Sequence, residues 1–260
     1  MRNALILAGV CLMAVSLASA DTFNLVSENF NTLGNSTTPP AGWKVGYTGL
    51  QQQTTANGTL SWENPNLIVD NGTVDVNALD SNGRSFNYGA TGGADRSLGN
   101  DPRTGGGTGD RDVQLAVTNT LATPITSLSL SYAGEQWRSN GTAAQVITVW
   151  FSTSETTGYV SMGSGLTFTS PINSAAVGAL DGDAAANRAV KSADFTPSSP
   201  IAPGATFYIR WLDINDSGVL DHGMSVDDVV LTGQATPEPA TMSLLVLGGL
   251  ALLRRRARNQ

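Results

Sequence analysis

The chain has 260 residues, only 13% of them charged, with 21 acidic against 14 basic side chains. Its one cysteine is Cys11, so the body of the chain can form no disulfide and perform no thiol chemistry. Arg2, Arg254, Arg255, Arg256 and Arg258, with the acid Glu238, fall outside residues 21–235, leaving that span 9 basic and 20 acidic residues. So acidic a surface repels phosphate backbones, which excludes nucleic acid as a partner.

The N-terminus reads as an export signal. Arg2 supplies the positive start, Ala4 to Leu17 the apolar run, and Ala18-Ser19-Ala20 the small-x-small cleavage site. Residues 1–20 are therefore expected to be removed, with Asp21 as the mature N-terminus, and residues 21–235 to form one all-β domain. Clear strands are predicted at Val113–Val117, Ile125–Tyr132, Gln145–Ser152, Thr206–Ile214 and Met224–Leu231, where β-branched and aromatic residues alternate with polar ones. Weaker strands fit Phe23–Phe30, Trp43–Tyr47, Leu67–Val69 and Ser85–Tyr88. Gly89 to Asp110 has almost no apolar side chains and reads as a long exposed loop. The Ala-rich stretch Ala175–Ala189 is the one place for a short helix. Many short strands punctuated by Gly, Asn and Pro specify a single two-sheet β-sandwich of jelly-roll type.

The catalytic inventory is thin. His222 is the only histidine, and neither a G-x-S-x-G elbow nor an H-E-x-x-H motif occurs. An enzyme is not expected, although acids paired only in space could hydrolyse glycosides. Asp213, Asn215, Ser217, Gly218 and Asp221 fall at positions 1, 3, 5, 6 and 9 of a calcium loop, but position 12 is Met224, where a bidentate acid belongs. The segment is either an ion site or a polar hairpin. Asp227 and Asp228 interrupt an apolar last strand, and alternation turns one of them inward, where a carboxylate needs a partner or a metal. Glu135, Trp137 and Arg138 form either a sugar-stacking platform or a core tryptophan beside a buried Arg–Glu pair. Trp43, Trp150 and Trp211 are expected in the core, and Trp62, in polar surroundings, is the exposed ligand-facing candidate.

Pro237-Glu238-Pro239 makes a stiff break, and the apolar run that follows, Thr241–Leu253, would span roughly 21 Å as a helix, short of the ~30 Å hydrocarbon core. The terminal cluster Arg254, Arg255 and Arg256 favours the cytoplasmic side. Together these features in residues 236–260 resemble the PEP-CTERM sorting signal of Gram-negative bacteria. That resemblance implies recognition by an exosortase after the export machinery, a transient hydrophobic anchor in the inner membrane, and delivery to the cell surface or extracellular matrix.

Two further resemblances concern the domain. Val226-Asp227-Asp228-Val229 near its end, with Glu28 in the first strand, resembles jelly-roll domains of the MAM and carbohydrate-binding type; this implies a structural Ca²⁺ held by Glu28 with Asp227 or Asp228. The run from Arg210 to Asp228, together with Tyr132 to Arg138, is similar to a domain of bacterial extracellular proteins, some joined to nucleases. No nuclease motif is present, so the resemblance carries over the domain and not that activity. The expectation is a surface-displayed binding or structural module, with a polysaccharide as its guessed partner. The alternatives are a secreted glycoside hydrolase or a passive surface-layer component.

Overall fold

A computed structural model describes residues 21–47, 61–62, 67–74, 84–103, 109–174, 176–216 and 220–235. The strands, in chain order, are β1 (Asp21–Glu28), β2 (Trp43–Tyr47), β3 (Ser61–Trp62), β4 (Ile68–Asp70), β5 (Arg84–Tyr88), β6 (Ser97–Asp101), β7 (Arg111–Thr118), β8 (Ile125–Ser139), β9 (Val146–Ser152), β10 (Val160–Ser161), β11 (Phe168–Thr169), β12 (Gly178–Ala179), β13 (Arg188–Phe195), β14 (Thr206–Asp213) and β15 (Gly223–Ala235). They form two sheets. The first runs β4-β5-β6-β15-β8, with β12 and β13 on the far side of β8 and β1 alongside β15; the second runs β3-β2-β7-β14-β9-β10, with β11 also on β9. The fold is the all-β, jelly-roll-like sandwich that the strand pattern predicts, and Thr22–Ala235 is one compact unit. Among the described residues the helical turns are Asn31–Leu33 and Ser164–Leu166, and no helix is long and apolar enough to cross a membrane. The signal and tail helices expected at residues 1–20 and 236–260 lie outside the described residues.

Alternation builds the core. Val113, Leu115, Val117, Val149, Phe151, Phe207, Ile209 and Trp211 of the second sheet meet Leu98, Leu128, Leu130, Tyr132, Val226 and Leu231 of the first. The intervening residues face outward, as a period of two demands. β8 alternates up to Tyr132, but Ala133 to Ser139 is buried on both faces. Something therefore covers the outside of the first sheet there. Part of that cover is the turn before β13: a Cβ on Gly182 would lie 2.2 Å from the Trp137 ring, so only glycine permits this approach.

Two expectations fail. The segment Gly89–Asp110 is not simply an exposed loop, because it contains β6, all five residues of which are buried. β6 lies between β5 and β15, and a Cβ on Gly99 would meet the Met224 carbonyl oxygen at 2.3 Å. Close backbone approach here selects small and polar side chains, with Leu98 alone reaching the core. The Ala-rich stretch is not a helix either. It forms β12, a turn in which the Asn187 side chain donates to the Asp181 carbonyl, and the start of β13.

Candidate functional site

Among the described residues, three polar clusters bear on the predicted site residues. The first sits where β6, β7 and β14 end. Asp101 ends β6, Asp110 and Asp112 flank the start of β7, Asp213 ends β14 and Asp221 precedes β15; none is more than 1% exposed. Asp110 Oδ1 accepts the Asn215 N–H at 2.9 Å. Asp221 Oδ1 accepts from Gln145 Nε2 at 2.6 Å and from the Asp216 N–H at 3.0 Å. Among the described residues neither oxygen of Asp213 receives a hydrogen bond, nor does Asp221 Oδ2. Burial pushes the Asp213 carboxyl well above its usual range, and the charges of Asp221, Asp101, Asp110 and Asp112 add to that. Burial likewise raises Asp221 to about 9. His222 is fully buried, which lowers its pKa, and its Nδ1 accepts the Asn140 N–H at 3.1 Å.

The second cluster lies on the outer face of the first sheet. Gly134 and Val226 point to the core, so Glu135, Trp137, Ser225 and Asp227 point the other way. The Trp137 N–H points at Ser97 Oγ (3.0 Å), Glu135 Oε2 (3.0 Å) and Ser225 Oγ (3.1 Å). Its ring stacks on Tyr88 at 5.8 Å, and Tyr88 stacks on Phe86 at 4.7 Å. Asp227 is 2% exposed, while Asp228 takes a left-handed backbone (φ 48°) at a bulge and turns out to pair with Arg188 at 2.9 Å.

The third cluster is on the outer face of the second sheet. Arg210 pairs with Asp112, both fully buried, and its guanidinium lies 5.3 Å from the centre of the Tyr159 ring. Gln114 Nε2 donates to Tyr159 Oη at 2.6 Å, Tyr159 donates to the Glu155 carbonyl at 2.8 Å, and Lys44 pairs with the Glu155 carboxylate. Trp150 and Tyr208, half-buried, lean on Tyr159 and Leu212 from neighbouring strands.

No family model and no curated protein matches this sequence. Solved structures of similar arrangement include a cyclase from Fischerella sp. TAU (13% identical, TM-score 0.41, covering 84% of this chain and 100% of that one). A cleaved adhesin domain of Lys-gingipain from Porphyromonas gingivalis is similar at 13% identity (TM-score 0.40, 80% and 98% covered). A xylan-binding domain follows at 11% identity (TM-score 0.40, 82% and 95% covered). These likenesses assign neither ligand nor reaction to this chain.

The predicted site residues separate. Trp137 is 1% exposed and cannot offer a ring face to a sugar, which corrects the platform reading; stacking needs an open face. The neighbouring ion pair also differs from expectation. Glu135 lies 3.7 Å from Arg188 Nε, while Arg138 donates to Asn140 Oδ1 and the Gly72 carbonyl. Trp43 and Trp211 are core and stack at 5.5 Å, but Trp150 is not core: it faces outward. Glu28 Oε1 accepts the Phe30 N–H at 2.7 Å, and the acid sharing the buried face with Asp227 is Glu135. Of the loop residues, Asp221 exerts the strongest charge on Asp213, and Asn215 is tied to Asp110 and Gly109. Among the described residues no three acids or histidines converge as metal ligands. The Trp62 side chain, Ser217, Pro237, Glu238, Pro239, Arg254, Arg255 and Arg256 lie outside the described residues.

The Glu135–Asp227 pair gives a pH signature. Burial first, and then mutual repulsion in a setting that includes Asp95, Asp183, Asp228 and Arg188, raises Asp227 to about 8; burial raises Glu135 to about 7. The folded chain therefore binds protons more tightly than the unfolded one, so this contribution is complete below about pH 4 and is lost as pH climbs through the folded values. Asp213 and Asp221 act in the same sense. The melting temperature is expected to fall between about pH 5 and pH 8.5, and less steeply in Asp227→Asn. Thermal melts across that range check this; equal slopes for wild type and variant would contradict it.

Proposed function

We propose that residues 21–235 are a non-catalytic module displayed outside the inner membrane, and that the outer face of its second sheet receives a glycan. The supporting observation is the pair Trp150 and Tyr208. They stand on adjacent strands, on the same outward face, partly exposed and packed on Tyr159 and Leu212, and Tyr159 donates to the Glu155 carbonyl. Rings backed by a rigid sheet meet the apolar faces of sugar rings at little entropic cost, while nearby charged groups can bond the hydroxyls. Asp213, Asp221, Glu135 and Asp227 are all buried, so a polymer has no access to any of them. This favours binding over hydrolysis. The export signal and the Pro-Glu-Pro tail support the placement outside the cell, with an exosortase as the processing partner.

A glycan array on the full chain, followed by fluorescence titration of any hit, tests the reading. Trp150→Ala and Tyr208→Ala are each expected to weaken binding about tenfold or more, the scale of an aromatic anchor. Both side chains are only partly exposed and pack on Tyr159 and Leu212, so a modest fall in melting temperature is expected alongside the loss of binding. Unchanged affinity in both variants would remove this face as the site. An array without hits would favour the passive surface-layer alternative.

A further inference from the structure

We propose that the cavity at the end of β4 binds a sugar acid of the hexuronate class, its carboxylate held by the outer edge of the Arg96 guanidinium. The site lies on the first sheet and is independent of the ring pair on the second. The cavity measures about 390 Å³ and is lined by Arg96 with Asn35, Asp70, Asn71, Thr73 and Thr91. That volume is in the range of small-molecule pockets.

The decisive feature is a cation without an anion. Arg96 is 4% exposed. Its Nε donates to Asn87 Oδ1 at 2.8 Å and its Nη2 to the Asn87 carbonyl at 2.7 Å, both neutral oxygens. Among the described residues Nη1 meets no acceptor, and no carboxylate pairs with the guanidinium. Asp70, in the same cavity, is engaged otherwise: its oxygens accept the Gly72 N–H at 2.8 Å, the Val74 N–H at 3.1 Å and the Thr73 hydroxyl at 3.0 Å. Burial pulls the Arg96 guanidinium below its usual range, against the charges of Asp183 and Asp70. A buried charge so placed is costly until an anion meets it.

The guanidinium is also fixed in place. Asn87 donates its amide hydrogens to the carbonyls of Gly34 (3.0 Å) and Ser36 (2.9 Å), leaving its oxygens to Arg96. The Arg96 backbone N–H donates to Asn31 Oδ1 at 2.9 Å. A Cβ on Gly89 would lie 2.4 Å from the Asp95 carbonyl oxygen and 2.5 Å from Nη1, so only glycine permits this approach. One edge of the planar group is committed to Asn87. The other, Nη1 with the second N–H of Nη2, offers two parallel donors, the pattern that a carboxylate accepts bidentately. The charge of Asp70 weighs against a doubly charged anion in the same cavity. Asn71 and Thr91, bonded to each other at 3.0 Å, and the exposed Asn35 present amide and hydroxyl groups to the hydroxyls of a sugar ring.

The test titrates the full chain with sodium glucuronate, glucose and sodium sulfate, read by calorimetry. Glucuronate is expected to bind about tenfold or more tightly than either of the others, the scale of one charge-assisted bidentate pair. Arg96→Lys keeps the charge but loses the fork, and should weaken glucuronate binding about tenfold, with a thermal melt to show that it folds. Asn35→Asp places a like charge at an exposed position without changing shape, so it should weaken binding while melting as wild type does. Trp150→Ala should bind glucuronate as wild type does. Glucuronate matched by glucose or by sulfate would overturn the proposal, as would unchanged affinity in Asn35→Asp or in a folded Arg96→Lys. Loss of glucuronate binding in Trp150→Ala would also overturn it, by moving the sugar to the second sheet, so the two sites fail separately.

Discussion

Trp137→Ala is expected to destabilise the domain by about 3–5 kcal/mol, the cost of deleting a fully buried large aromatic that cannot be refilled. The ring lies between Tyr88, stacked 5.8 Å away at an interplanar angle of 3°, and the backbone of Gly182. Packing so close on both sides leaves little room for collapse. The substitution also strips the indole N–H from the Ser97–Glu135–Ser225 cluster, so that a buried carboxylate loses a donor. Trp137→Phe is the milder change: it keeps an aromatic ring for Tyr88 but loses the N–H and the volume of the five-membered ring, and is expected to cost about 1–3 kcal/mol. Urea unfolding of both variants measures this, and a Trp137→Ala cost below about 1 kcal/mol would mean that the outer layer contributes little to the fold.

Arg210→Met is the second large effect, also expected at about 3–5 kcal/mol. Arg210 and Asp112 are both fully inaccessible and paired across β7 and β14, where Arg210 is opposite Gln114 and Leu212 opposite Asp112. Even with the guanidinium in place, burial holds the Asp112 carboxyl up at about 6. Without it, Asp112 must be protonated on folding or remain an uncompensated charge. The double variant Arg210→Met with Asp112→Leu should recover most of the loss, because a buried pair replaced whole by apolar groups of similar volume is often nearly neutral. A double variant no more stable than Arg210→Met alone would refute this account.

The second sheet was legible in the sequence because burial on one face leaves a period of two. Val113 to Val117, Gln145 to Ser152 and Thr206 to Ile214 each show it, and they became β7, β9 and β14. The first sheet was harder. β6 has a single apolar side chain, because what its position demands is the absence of a Cβ at Gly99, and no hydropathy pattern reports that. β13 begins at the end of the alanine-rich stretch and buries none of its residues fully, so no apolar alternation marks it. The site residues divide in the same way. The 213–221 loop was visible as a local spacing. Asp101 and Asp110 were not, because they lie more than a hundred residues away in sequence and reach the loop only through sheet pairing. Trp150 was visible as a strand aromatic, but its outward face follows only from Val149 and Phe151 occupying the core.

The place of β15 has a mechanical consequence. The chain continues from Ala235 into the Pro-Glu-Pro segment, so tension on that segment enters the domain through its last strand. That strand is not at an edge: β8 is bonded along one side, and β6 and β1 take up the other. Pulling β15 out therefore requires breaking ladder bonds on both sides together, rather than peeling them one at a time. A domain tethered in this way should hold its shape under drag that would unzip the same sandwich if it were tethered through an outer strand.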